Sequence, residues 1–110
     1  MYDIRLAEAF DIIRMQTKGI RFKNVSRSIF IVSKDGVDIG FMEGEPAIMF
    51  DNVEVSDEHF MGACEAMIDL NKRSKCRTLI KIGKNNKLKI GILEKICIKV
   101  SSRAFRFFEM

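Results

Sequence analysis

Apolar and polar residues change their spacing several times along the chain, which predicts a mixture of helices and strands. Four apolar residues near the start recur at the spacing of one helix face: Leu6, Ala9, Phe10 and Ile13. Asp3 can cap the start of such a helix, and Gly19 suits its end. We therefore predict a first helix from about residue 4 to about residue 17.

An antiparallel meander is predicted next. Residues 28–34 are rich in β-branched and aromatic side chains, and residues 37–41 alternate between apolar and polar. Asp35-Gly36 between them is typical of a two-residue hairpin turn. Shorter extended pieces are predicted at residues 20–23, 47–50 and 53–55, the last two on either side of a turn at Asp51-Asn52.

A second helix is predicted from Ser56 to near Asn71. Ser56 suits the N-cap, and Asp57 and Glu58 in the first turn favour the positive end of the helix dipole. The apolar face of this helix is formed by Phe60, Ala63, Cys64, Met67 and Ile68.

The last third of the chain is predicted to form a long β-hairpin, after a basic connector at residues 72–77. Its first strand runs from Thr78 to Ile82 and its turn spans residues 83–87. The second strand has the clearest alternation in the sequence, with apolar residues at Leu88, Ile90, Ile92, Ile96, Ile98 and Val100 and with Lys89, Lys95 and Lys99 on the opposite face. The aromatic tail, residues 103–108, is expected to add a last strand.

This order of elements indicates an α+β fold in a single domain, residues 1–110. The chain has 110 residues, of which 47% are hydrophobic and 31% charged, a composition that excludes a disordered protein. Its apolar runs are far shorter than a membrane span, and the early Asp3 argues against a secretory leader. The expected location is the cytoplasm.

Charge is divided sharply along the chain. Residues 35–71 contain ten acidic residues and no lysine or arginine, whereas residues 72–110 contain twelve basic residues and two acidic ones. The two blocks either pair with each other, within one molecule or between subunits, or present separate charged surfaces. The predicted lysine face of the long strand favours a separate basic surface.

Such a surface would suit nucleic acid or another phosphate-bearing partner, because bound lysine and arginine release counterions from a polyanion. The predicted contact residues are Arg77, Lys81, Lys84, Lys87, Lys89, Lys95, Lys99, Arg103 and Arg106. Phe105 or Phe107 could stack on bases, or these rings could instead close the core.

Two alternative functions remain open at this point. The acidic stretch, residues 35–69, could imitate nucleic-acid phosphates and let the protein bind and inhibit or regulate another protein, with Glu43, Glu45, Asp51 and Glu54 as partner-binding residues. Alternatively, basic side chains could line a pocket that sequesters a small phosphorylated nucleotide. Homo-oligomerisation is compatible with every hypothesis if residues 47–50 or the aromatic tail form edge strands.

Residues suited to catalysis are scarce. Cys64, Cys76 and Cys97 lack the spacing of a metal site or a redox pair and are expected to be reduced, mostly core thiols. His59 is the only histidine, and at the start of a helix it is expected to be exposed or to cap the helix. We therefore predict a protein that is not an enzyme and that needs no metal or cofactor.

In its short length, its many lysines and isoleucines and its lack of a catalytic motif, the chain resembles the small accessory proteins of large tailed phages. Many of those proteins bind and redirect or inhibit host machinery. The resemblance covers composition alone and assigns no residue.

Overall fold

The computed structural model describes residues 1–22, 28–45, 49–74 and 78–107. These ranges contain one seven-stranded sheet and three helices, which confirms the predicted α+β class. The strands are β1 (Tyr2–Leu6), β2 (Ser28–Lys34), β3 (Val37–Glu45), β4 (Met49–Val55), β5 (Leu79–Lys81), β6 (Ile98–Lys99) and β7 (Ala104–Arg106). The helices are α1 (Ala9–Thr17), α2 (Asp57–Ser74) and α3 (Lys87–Ile96).

The strand order across the sheet is β1-β2-β3-β4-β5-β7-β6. Strands β1 to β4 form an antiparallel meander, and Asp35 and Gly36 make the predicted hairpin turn with φ angles of 51° and 85°. β4 and β5 are parallel, so the chain crosses over through α2 between them. β5, β7 and β6 complete the sheet as antiparallel neighbours.

Alternating side chains of the strands supply two separate cores. On one face, Val32, Met42 and Phe50 pack with Phe60 and Met67 of α2. We call this the helix face, because α3 joins the same core through Leu93. On the outer face, Ile29, Ile31 and Phe41 pack beneath Met15 of α1.

The prediction for the first helix was wrong at its start. Residues 2–6 form β1 instead, with Asp3 opposite Ser33, and α1 begins only at Ala9. Glu8 occupies the N-cap, and Asp11 completes a capping box with it. The strand forms because β2 offers residues 2–6 a full antiparallel partner.

The predicted apolar face of α1 points away from the core. Phe10 and Ile13 are 61% and 63% exposed, and Leu6 of β1 is exposed as well. The buried residues of α1 are Asp11 and Met15. A carboxylate occupies the inward position because charged and backbone donors satisfy it there, as described below.

The turn predicted at Asp51-Asn52 was also wrong, because both residues lie inside β4. The register between β3 and β4 shifts between Glu43 and Gly44, so Asp51 is an extra residue in the ladder. An extended piece was also predicted at residues 20–23, but residues 20–22 do not belong to a strand. Residues 23, 47 and 48 lie outside the described ranges.

The second helix forms where it was predicted, as α2, and its predicted apolar face points to the core. Its buried residues include Phe60, Ala63, Cys64 and Met67. The helix continues to Ser74, so the first half of the predicted connector is helical. The remainder, residues 75–77, lies outside the described part of the chain.

The prediction of a long second strand in a C-terminal hairpin was wrong, because residues 87–96 form α3. Leu93 is fully buried in the helix-face core, and Ile90 and Ile96, three residues away on either side, pack against it. Leu88, Ile98 and Val100 are exposed. Lys89, Lys95 and Lys99 therefore do not share a strand face.

The predicted strand in the tail is confirmed as β7, and Phe105 and Phe107 are buried in the core. The proposed edge strands were misplaced. β4 lies between β3 and β5, and β7 lies between β5 and β6. The outer strands of the described sheet are β1 and β6.

Candidate nucleic-acid interface

Two basic side chains share the outer face of the β5–β7 pair. Ile80 lies opposite Phe105, and both are buried on the helix face. Lys81 lies opposite Ala104, and Arg106 lies opposite Leu79, so the intervening residues point to the outer face. Lys81 and Arg106 are thus diagonal neighbours, for which separations of about 7–8 Å are usual. Both side chains are exposed.

Two further exposed lysines follow β5 directly along the chain. Lys84 lies in the turn before α3, where the Asn86 amide donates a hydrogen bond to the Gly83 carbonyl. Lys87 is the first residue of α3, whose first turn contains no acidic residue. The unpaired amides at the start of a helix carry a partial positive charge, so they reinforce the potential of Lys87.

These four cations have no carboxylate within 4.0 Å among the residues that the structure describes. We call the set Lys81, Lys84, Lys87 and Arg106 the basic surface. A cation without an ionic partner keeps its donors available to a ligand, so this set could bind phosphate groups.

The other basic residues of the predicted contact set lie elsewhere. The Lys89 Nζ atom is 3.9 Å from Asp57 Oδ1 and 5.4 Å from the centre of the Phe60 ring, and its side chain is only 12% exposed. It therefore links α3 to α2 instead of facing solvent. The Lys99 Nζ atom lies 3.5 Å from Glu94 Oε2.

Three residues of that set remain to be placed. Lys95 is exposed on α3, six residues after Lys89, which places the two on different sides of the helix. Arg103 is half-buried just before β7, and its carbonyl accepts a hydrogen bond from the Ile82 amide. Arg77 lies outside the described residues.

The acidic residues predicted to bind a partner do not form a continuous surface. Glu43 is fully buried and accepts a hydrogen bond of 2.6 Å from the Asn52 amide group. Glu45 is exposed at the end of β3, and Asp51 is half-buried in β4. Glu54 is exposed on the outer face opposite Phe41.

The acidic stretch pairs with the basic third at few points of the described chain. Lys89 contacts Asp57, and Arg73 contacts Asp69 at 3.1 Å within α2. Asp38 instead contacts Arg5 and Arg14 near the start of the chain. Pairing within the molecule therefore leaves the basic surface open.

Of the candidate nucleophiles and acid–base groups, the structure describes Cys64, Cys97 and His59. Burial raises the pKa of the Cys64 thiol well above its ordinary value and raises that of Cys97 to about 11. Cys76 lies outside the described ranges. His59 is mostly buried, and its Nδ1 atom shares a hydrogen bond of 2.9 Å with the Tyr2 hydroxyl. It joins β1 to α2 and is not exposed, which was one of the two alternatives expected for it.

Within the described ranges, no three His, Cys, Asp or Glu side chains are grouped as metal ligands would be. The helices there also lack the combination of length and hydrophobicity that a membrane span requires.

The structure contains a second basic region, beside α1, that the sequence did not predict. Arg5, Arg14, Lys18 and Arg21 line a groove between α1 and the outer face of the sheet, where Asp38 and Glu54 are also found. The four basic residues are scattered over the first third of the sequence, and only the packing of α1 beside β3 brings them together. No local pattern indicates such a cluster.

Comparison with known proteins gives no functional assignment. No protein-family model matches the chain, and no curated protein matches it in sequence. The geometry of the charged surfaces is therefore the basis for assigning a function.

Proposed function

We propose that the protein is a non-enzymatic binding protein that engages nucleic acid through the basic surface. The observation that carries this proposal is the exposure of Lys81, Lys84, Lys87 and Arg106 without a carboxylate partner in the described structure. Two of them lie on neighbouring strands of a sheet, so their spacing is fixed by the backbone.

Binding through this surface would be driven by phosphate contacts. Each lysine or arginine that neutralises a phosphate releases counterions, so the affinity should fall steeply as salt rises. Phe105 and Phe107 are buried and cannot stack on bases. We therefore expect a preference for backbone charge, with little discrimination between sequences or between single and double strands.

A salt titration tests the proposal directly. Labelled duplex DNA, single-stranded DNA and RNA of equal length are titrated with the protein, and binding is followed by fluorescence anisotropy from 25 to 200 mM salt. Four phosphate contacts predict a slope of about −3.6 for duplex DNA in a plot of log affinity against log salt. Absence of binding at tens of micromolar protein and low salt would overturn the proposal.

The alternative of an inhibitor or regulator acting through residues 35–69 receives less support. It needs a row of accessible carboxylates, but Glu43 is buried, and Glu45 and Glu54 are separated along the strands. In contrast, Lys81 and Arg106 of the basic surface share one face of the sheet and are both exposed.

The proposal places the protein in the cytoplasm. Cys64 and Cys97 are free thiols in the structure, which suits a reducing compartment.

We also propose that two copies associate through β1. This strand is an outer strand of the described sheet, its residue Leu6 is an exposed apolar side chain, and so are Phe10 and Ile13 of α1, which follows it along the chain. Antiparallel pairing of two β1 strands centred on Ile4 places Asp3 of each copy opposite Arg5 of the other. The same register sets Tyr2 opposite Leu6, so charge and apolar contacts are both self-complementary.

A further inference from the structure

The groove beside α1 combines a cationic rim with an apolar floor. It has a volume of about 1110 Å³ and lies between the second half of α1, the β2–β3 turn and the outer face of β3 and β4. Arg5, Arg14, Lys18 and Arg21 line it, against the carboxylates of Asp38 and Glu54. Asp11 is a third carboxylate and binds Arg5 and Arg14, so the remaining positive charge lies with Lys18 and Arg21 and favours an anionic ligand.

Two of the arginines are held in place by a buried carboxylate. Arg5 binds Asp11 through two nitrogens, Nη1 to Oδ2 at 2.8 Å and Nη2 to Oδ1 at 3.1 Å. Arg14 Nη2 lies 3.0 Å from Asp11 Oδ1 and 2.8 Å from Asp38 Oδ2. Asp11 also accepts a 2.9 Å hydrogen bond from the Glu8 amide and is fully buried.

This arrangement leaves donors for a ligand. A guanidinium has five N–H groups, and the bonds of Arg14 to both aspartates use Nη2, so Nε and Nη1 have no carboxylate partner among the described residues. The two side chains are still 43% and 45% exposed. Fixed guanidiniums lose little entropy on binding and match phosphate oxygens in pairs.

Lys18 and Arg21 add charge that nothing in the described ranges neutralises. Both are exposed, and no carboxylate lies within 4.0 Å of either. Lys18 is the C-cap of α1, and Arg21 follows two residues after Gly19. They therefore add two exposed cations to the groove that Arg5 and Arg14 line.

The floor of the groove favours a ligand with a flat ring that carries polar groups. Met15, Ile31 and Phe41 are buried apolar residues of this floor. The buried Ser33 also lines the groove and offers a hydroxyl, and the exposed Glu54 lines it as well with a carboxylate. A purely aliphatic ligand would leave the Ser33 hydroxyl without a partner, whereas a heterocycle with polar ring atoms would satisfy it.

We propose that this groove binds a nucleoside monophosphate, with the base on the apolar floor and the phosphate at Arg14, Lys18 and Arg21. The site is separate from the basic surface and does not depend on the nucleic-acid proposal. The volume is sufficient, since pockets of roughly 300–1000 Å³ hold ligands of this size.

Calorimetric titration of the full chain with AMP, GMP, CMP and UMP at 50 mM salt tests the inference. We expect at least one of them to bind with a Kd below 1 mM and its nucleoside to bind at least tenfold more weakly. If all four fail to bind, or if inorganic phosphate binds as tightly as the best nucleotide, the inference is overturned.

Two variants with opposite expected effects locate the site. Lys18→Gln with Arg21→Gln removes two unpaired cations and should weaken nucleotide binding by roughly tenfold, whereas Glu54→Gln removes an opposing carboxylate and should strengthen it by roughly fivefold. Unchanged affinity in both variants would contradict the proposed site.

Lys81→Gln with Arg106→Gln is the matched control, because it removes the same charge from the basic surface. Nucleotide affinity should be unchanged in this variant. Equal weakening by both double variants would mean general charge attraction and would refute a nucleotide site in the groove.

Discussion

The ring of Tyr2 occupies the space that a side chain at position 62 would need. A Cβ atom on Gly62 would lie 2.2 Å from Tyr2 Cε2, which is too close for any real contact. The Tyr2 hydroxyl also shares its hydrogen bond with His59, one turn earlier on α2. β1 is therefore docked on α2 at a position that requires glycine.

Gly62→Ala should destabilise the protein by about 1–3 kcal/mol, because forcing a methyl group into an occupied site displaces the tyrosine ring or the strand. Urea denaturation measures the change. Gly91→Ala is the control, since nothing lies within 4 Å of a Cβ atom at that helical position. It should raise stability by roughly 0.5–1 kcal/mol, as expected for alanine in place of glycine in a helix. A Gly62→Ala protein as stable as wild type would contradict the observed docking.

The buried Asp11 predicts a dependence of stability on pH. Its hydrogen bonds from Arg5 and from the Glu8 amide, together with the charges of Arg5 and Arg14, hold the pKa of this carboxyl at about 2, below its ordinary value of 3.8. A lowered pKa in the folded state stabilises the protein above the pKa of the unfolded chain. That contribution should be lost as the pH falls from about 4 to about 2.

Asp11→Asn should therefore lower the melting temperature by several degrees at pH 7, and its deficit relative to wild type should shrink between pH 4 and pH 2. Thermal unfolding at a series of pH values measures both proteins. Glu65→Gln, at an exposed position of α2, should melt like wild type throughout. A deficit that is the same at pH 2 as at pH 7 would show that the carboxylate charge is not responsible.

Self-association through β1 predicts a dimer whose formation depends on Leu6. In the proposed register Leu6 meets Tyr2 of the second copy, so Leu6→Lys should shift the protein to a monomer, measured by light scattering at tens of micromolar. Val37→Lys is a suitable control, because Val37 is equally exposed but lies at the β2–β3 turn. A wild-type protein that is monomeric at 100 μM would contradict this part of the proposal.

The sequence allowed correct prediction wherever one local pattern dominated. The Asp35-Gly36 turn and its flanking strands formed as expected, and so did α2 with its apolar face. In these segments the spacing of apolar residues agrees with the preferences of the turn residues and of the acidic first turn of α2.

The prediction failed where the apolar residues fit both the spacing of a strand and the spacing of a helix. Residues 88–100 alternate like a strand, but Ile90, Leu93 and Ile96 also follow the three-residue spacing of a helix face. The helix prevails because it buries Leu93 between α2 and the sheet. A strand of that length would also exceed the usual five or six residues.

α1 could not be oriented from sequence alone. Its inward position is taken by Asp11, whose burial depends on Arg5 in another element. The groove and its four cations depend on the same packing, so they also emerge only in three dimensions. The positions of Lys81 and Arg106 on one face follow from the register of β5 and β7, which the misassigned hairpin obscured.

The most direct test of the central claim is the salt dependence of nucleic-acid binding in two charge-matched variants. Lys81→Gln with Arg106→Gln removes two cations of the basic surface, and Lys34→Gln with Lys72→Gln removes two exposed cations elsewhere. By fluorescence anisotropy with duplex DNA, we expect the first variant to bind roughly tenfold more weakly than wild type at 50 mM salt. Its salt slope should be smaller by about 2, whereas the second variant should resemble wild type. Equal affinity and slope in the two variants would contradict a nucleic-acid interface at Lys81 and Arg106.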